Sequence, residues 1–213
     1  MAVVAGPKLI RMKRALIVID VQNEYVVGKL PIAYPPLDTS LANIAAAMDA
    51  ATDAGIPIAV VQHVAPPESP LFARGSAGFA LHPTVAERPY DLLVEKTLPS
   101  SFTGTELGRW LSEHAVETLV ICGYMTQNCD ESTARDAVHR GFGVEFLSDA
   151  TGTLAIANQA GSITAKELHE SVLVVLQSRF AAVATTASWI ESVTHGTELE
   201  RSGILSSALA ARS

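Results

Sequence analysis

Glu117-Thr-Leu-Val-Ile-Cys-Gly-Tyr-Met-Thr-Gln-Asn-Cys-Asp-Glu-Ser-Thr-Ala-Arg-Asp-Ala-Val-His139 is the stretch on which the fold turns. Residues 118–122 form a continuous apolar, β-branched run, the pattern of a strand buried on both faces. A short polar turn follows, and residues 130–139 read as a helix. Strand, turn and helix in that order are the unit of an α/β protein with a parallel sheet. The rest of the chain repeats the alternation. Ala15-Leu-Ile-Val-Ile19 is a second fully apolar run, and further strands are expected at 57–61, 91–95, 143–147 and 180–184. Helices are expected at 41–54, ended by Gly55-Ile-Pro57, at 105–114 and at 164–177, with Ser162 as the cap of the last. The expected architecture is α/β: a doubly wound, mostly parallel six-stranded sheet in the order 3-2-1-4-5-6, with helices on both faces.

The 213 residues, 48% hydrophobic and 17% charged, are enough for one substantial core. One domain over 1–213 is expected, with its core at about 14–191 and a tail from about 194 that lacks a core pattern. That tail is either a mobile end or a segment that packs on another subunit. A formal charge of −7 argues against a nucleic-acid or anionic-membrane partner. Basic residues cluster only at Lys8, Arg11, Lys13 and Arg14. No apolar stretch approaches the roughly 20 residues of a membrane span. The short Ala2-Val-Val-Ala5 is no secretory signal, so a cytoplasmic location is expected. Cys122 and Cys129 sit in unlike settings and give no disulfide framework. Gly141-Phe-Gly143 precedes a strand, so it is no phosphate cradle, and no cofactor is called for.

In open parallel sheets ligands bind at the carboxyl ends of strands where the strand order reverses. Asp20 follows the first strand, Lys96 ends the third and Cys129 lies past the fourth. Each has an ordinary reading: a turn-forming Asp, a solvated Lys, a small buried Cys. Their joint occurrence at three strand ends assembles a nucleophile, a base and an electrostatic helper. Cys129 at a helix start is expected to favour thiolate, whereas Cys122, inside an apolar run, reads as inert core. The irregular stretch 64–88 is either a lid or pocket wall, through Phe72 and Phe79, or a surface loop pinned by those two aromatics.

These segments resemble the isochorismatase-like cysteine hydrolases, a family that includes nicotinamidases and N-carbamoylsarcosine amidohydrolase. The matching phrases are Ala15-Leu-Ile-Val-Ile-Asp-Val-Gln-Asn23, Glu95-Lys-Thr-Leu-Pro-Ser-Ser-Phe-Thr-Gly-Thr105 and Ile121-Cys-Gly-Tyr-Met-Thr-Gln-Asn-Cys-Asp130. Leu147-Ser-Asp-Ala150 and the phrase from Phe180 to Thr186 also fit. The resemblance implies an Asp20, Lys96, Cys129 triad, a cis peptide between Tyr124 and Met125, and an oxyanion hole from the Met125 and Cys129 amides. It also implies a homo-oligomer, a dimer or tetramer, for which the apolar tail 203–210 is the sequence support. Nicotinamide-specific members carry an Asp-x-His metal motif after strand 2. Here Gln62-His-Val-Ala-Pro66 puts His63 and Ala65 in those places, so neither a metal nor nicotinamidase activity is expected. True isochorismatases lack the cysteine, which argues against that reaction. The expected function is hydrolysis of a small-molecule amide through a thioester, with Tyr25, Phe79, Phe102 and Gln127 as candidate pocket walls. Arginines such as Arg74 and Arg135 are scarce near the motifs, which disfavours a large anionic substrate. The alternatives of another class are a non-catalytic oligomeric binding scaffold and a redox-sensing thiol.

Overall fold

A computed structural model describes residues 13–212. Lys8, Arg11 and the apolar residues 2–5 lie outside the described residues. The central sheet holds β1 (Arg14–Ile19), β2 (Ile58–His63), β3 (Leu92–Lys96), β4 (Thr118–Tyr124), β5 (Gly143–Gly152) and β8 (Ala182–Ala184). Their order is β3-β2-β1-β4-β5-β8, and every pairing is parallel. The strand order reverses between β1 and β4, which places the switch point there.

The apolar runs become strands because both faces are covered. All six residues of β1 are buried. Ala15, Ile17 and Ile19 face one core with Leu107 and Leu111 of α3 (Leu107–Glu113), Ala137 of α4 (Glu131–His139) and Leu176 of α5 (Ala165–Gln177). Leu16 and Val18 face the other, with Ile44 and Met48 of α1 (Leu37–Ala54) and Trp189 of α6 (Thr186–His195). Gly55 ends α1 in the left-handed region at φ 65°, its N–H bonded to the carbonyls of Ala51 and Thr52.

Several expectations need correction. The first helix begins at Leu37, before residue 41, and α3 begins at Leu107. Ser162 does not cap α5: it lies in β7 (Gly161–Ile163), which pairs with β6 (Ile156–Asn158) in a separate antiparallel hairpin. The cap is Thr164, which forms a reciprocal capping box with Glu167. Cys129 does not open α4, because a π-helical turn (Thr126–Asp130) intervenes and contains it. The stretch 64–88 includes a short helix, α2 (Pro83–Ala86). The tail holds a short helix that buries none of its own residues. Residue 194 lies in the last turn of α6, and α7 (Ile204–Ala210) leaves Ile204, Leu205 and Leu209 exposed. No helix among the described residues is long and apolar enough to cross a membrane.

Candidate active site

Three strand ends deliver the chemistry. Asp20 follows β1 with φ 52°, in the left-handed region that Asp tolerates better than most residues. Its backbone N–H bonds to the Val61 carbonyl at 2.9 Å, tying the β1 end to β2. Lys96 ends β3, paired in register with His63 of β2. Beyond β4 the Tyr124–Met125 peptide is cis, and the π-helical turn carries Cys129. Lys96 Nζ donates to Asp20 Oδ2 at 2.7 Å and to Cys129 Sγ at 3.2 Å. All three residues are buried, Asp20 completely. Asp20 Oδ1 is also enclosed and has no hydrogen-bond partner among the described residues.

Enclosure sets the protonation. Burial pushes the Cys129 thiol well above its ordinary range, and the nearby Asp20 charge pushes it further, while Lys96 pulls it back. The expectation of a thiolate at rest is therefore corrected: the sulfur sits in an interior turn beside a carboxylate, not at an open helix start. For Lys96, burial works against the charge. Asp20 and Cys129 outweigh that effect and hold the ammonium above its ordinary value. Lys96 thus bridges the side chains of Asp20 and Cys129 from one side.

Polar contacts that were not legible in the sequence position this cluster. Thr133 donates its hydroxyl to the Cys129 carbonyl at 2.7 Å and accepts from the Ser101 N–H at 3.0 Å, joining α4 to the segment after β3. Thr126, in the π turn, bonds His169 Nδ1 at 2.8 Å, while His169 Nε2 contacts the Ser148 carbonyl at 2.9 Å. With Nε2–H donating to that carbonyl, Nδ1 accepts from the Thr126 hydroxyl. Gln22 accepts from the His63 N–H and donates to the carbonyls of His63 and Phe79, pinning the β2 end to the 64–88 segment. Only His169 leaves a trace in the sequence, as a histidine on the buried stripe of an amphipathic helix with Val172 and Leu176.

Cys129 opens on a cavity of about 320 Å³. Tyr25, Leu30, Leu71, Phe72, Pro99 and Met125 make its apolar wall, and His63, Ser69 and Asn128 are its polar points. Of the four candidate wall residues, Tyr25 lines this cavity and the other three lie outside its lining. Phe102 is core, stacked on Phe142 at 6.1 Å. Gln127 accepts from Thr153 Oγ1 at 2.6 Å and donates to Met125 Sδ, so it braces a wall residue from behind. Phe79 sits 5.9 Å from the Arg74 guanidinium, and its carbonyl holds Gln22 and Gln62. Phe72 is the aromatic of the 64–88 segment that reaches the cavity. A larger hollow of about 420 Å³ lies at the opposite end of the strands, around Gly55, Ile58 and Asp91. It is remote from the carboxyl ends where parallel sheets bind ligands.

The residues do not fit a metal. Ala65 offers no donor, and no three His, Cys, Asp or Glu side chains among the described residues converge on one point. Arg135 and Asp136 are structural, though not as partners of each other. Arg135 pairs with Glu131 and lies over the Phe180 ring, while Asp136 pairs with Arg140.

A thiol, a carboxylate and an ammonium gathered at the switch point of a doubly wound parallel sheet define a class: an α/β protein with a chemically equipped cysteine cleft. The chain belongs to the isochorismatase family, whose domain model matches residues 14–188. It is similar to a candidate isochorismatase of Burkholderia xenovorans LB400, a solved structure with 58% identity and a TM-score of 0.94 that covers 95% of this chain and 97% of that one. It is 29% identical to an uncharacterised isochorismatase family protein of Bacillus subtilis, over 84% of this chain and all of that protein. It is also 31% identical to the ureidoacrylate amidohydrolase of Methylobacterium radiotolerans, over 82% of this chain and 77% of that enzyme.

Proposed function

We propose that the protein is an amidohydrolase that cleaves a C–N bond of a small molecule through a thioester on Cys129. The observation that carries this is the position of Lys96 Nζ, 2.7 Å from Asp20 and 3.2 Å from the sulfur of Cys129, which lines a cavity. A relative that is by name an amidohydrolase supports the bond type.

The steps follow from the protonation state. Cys129 rests as a thiol, so its proton must leave as the sulfur attacks, and the unpartnered Asp20 Oδ1 is the acceptor at hand. The carbonyl oxygen becomes an oxyanion held by the backbone N–H groups of Met125 and Cys129. One such donor is worth about 2.7–4 kcal/mol in a protease studied by mutation. Asp20 returns its proton to the nitrogen as the C–N bond breaks, and the amine departs. The acyl group remains on sulfur. Asp20 then takes a proton from water as it attacks the thioester, the acid leaves, and Cys129 regains its proton. Lys96 keeps Asp20 in place and offsets the negative charge that develops near both groups.

The test is the Cys129→Ala variant with ammonia or amine release as readout across primary amides, ureas and cyclic amides. Turnover should vanish into background. Intact-protein mass spectrometry after iodoacetamide should place the adduct on Cys129 and spare Cys122, which is fully buried on β4. Full turnover by the alanine variant would end the proposal.

A further inference from the structure

His63 is a group the reaction above does not use. It lies at the end of β2, beside Lys96 in register, and lines the Cys129 cavity. Its backbone is held on both sides by Gln22, and its ring packs edge-on against Phe72 at 5.1 Å. The imidazole itself has no hydrogen-bond partner among the described residues, and Nδ1 is enclosed. A ring with no partner inside the protein keeps its accessible nitrogen free to bond an occupant of the cavity. Burial and then the Lys96 charge hold the ring's protonation below its ordinary range, so it enters the reaction uncharged. Which nitrogen carries the hydrogen follows from the surroundings. A hydrogen on enclosed Nδ1 would find no acceptor and would lie in the field of the ammonium. The hydrogen therefore sits on Nε2, the nitrogen left open to the cavity.

The remaining lining limits what can meet that donor. Among the described residues the cavity wall contains no Arg, Lys, Asp or Glu, and the Lys96 ammonium is already engaged by Asp20 and Cys129. A substrate carboxylate would be stripped of water against Leu30, Leu71, Phe72 and Pro99 with no counter-charge. We propose that His63 selects the substrate, donating its Nε2–H to a second acceptor, a carbonyl or ether oxygen, on a small, uncharged and otherwise apolar amide. The inference takes the amide from the reaction proposed above, but recognition and hydrolysis are measured separately.

Binding to the Cys129→Ala chain by titration calorimetry isolates recognition. The probes are cyclohexanecarboxamide, its 4-oxo derivative and its 4-carboxylate derivative. The 4-oxo compound should bind about tenfold tighter than the parent, the worth of one well-placed hydrogen bond, and the carboxylate should bind weakest. Adding His63→Ala should bring the ratio of the first two affinities close to one, while His63→Gln, which keeps a donor, should retain part of it. Because the ratio is internal to each variant, a general loss of packing does not mimic the result. Tyr25 and Asn128 are rival donors on the wall, so neither Tyr25→Phe nor Asn128→Ala should remove the ratio. The proposal is overturned if His63→Ala preserves the ratio, if Tyr25→Phe or Asn128→Ala abolishes it, if the carboxylate binds best, or if no probe binds at millimolar concentration. A His63-dependent preference with no hydrolysis by the Cys129-containing protein would sink the reaction and leave this inference standing.

Discussion

Asp130 is the next residue after Cys129, yet it is fully buried and neither carboxyl oxygen has a partner among the described residues. Burial pushes its carboxyl well above the ordinary 3.8, and the Asp20 charge adds to the effect against Lys96. An acid whose folded pKa is raised binds more protons folded than unfolded. Its contribution is therefore fully present below 3.8 and is lost as pH rises through the folded value. At neutral pH this residue costs stability. Asp130→Val should raise the melting temperature at pH 7–8 by about 2–4 °C per kcal/mol recovered, and the gain should shrink towards pH 4. Differential scanning calorimetry across that range checks it, and a gain independent of pH would contradict the assignment. The same electrostatics makes Cys129 a slow nucleophile towards soft alkylating agents at neutral pH. Its iodoacetamide rate should keep climbing through the alkaline range where an exposed cysteine has levelled off.

Among the elements, the approach of β1 to β4 matters most, because it brings Asp20 towards the turn that carries Cys129. Gly123 pairs with Ile19 at φ 124°, and a Cβ there would collide with the Ile19 carbonyl. Gly141 also has a positive φ, 90°, but nothing stands near its missing Cβ. Both Gly→Ala changes force a side chain into left-handed backbone, which costs about 1–2 kcal/mol. Only Gly123→Ala also pushes backbone from backbone. It should be the more destabilising of the two by urea unfolding, and it should depress turnover more than its loss of folded protein explains. Equal costs at the two positions would refute this reading of the β1–β4 contact.

For the molecule as a whole, the opposite end of the sheet is closed by a buried ion pair. Arg14 of β1 holds Glu145 of β5 through two contacts of 2.8 Å, and Trp189 of α6 donates its indole N–H to the same carboxylate at 3.0 Å. Three elements distant in sequence meet there. Removing one partner strands the other in the interior, so Glu145→Leu should cost about 3–5 kcal/mol. Combining it with Arg14→Met should recover much of that loss, since no unpaired charge remains. Chemical denaturation of the single and double variants tests this, and a double variant no better than the single would show that packing, not charge, dominates.

The sequence by itself determined the strand-and-helix order and the class of fold. Strands buried on both faces read as near-continuous apolar runs, so those at 15–19 and 118–122 announce themselves without any partner. It also marked Asp20, Lys96 and Cys129, because a chemically active residue at a strand end is visible locally. The β6–β7 hairpin, α6 and the π-helical turn were not visible, since short or irregular elements have no period to detect. The contacts of Gln22, His169, Thr133 and Glu145 join residues far apart along the chain, and no local pattern specifies a long-range partner. Only the tertiary structure decided the state of the Cys129 sulfur. A thiol's ionisation depends on the water and charge around it, and both are set when β1, β3 and β4 close over it.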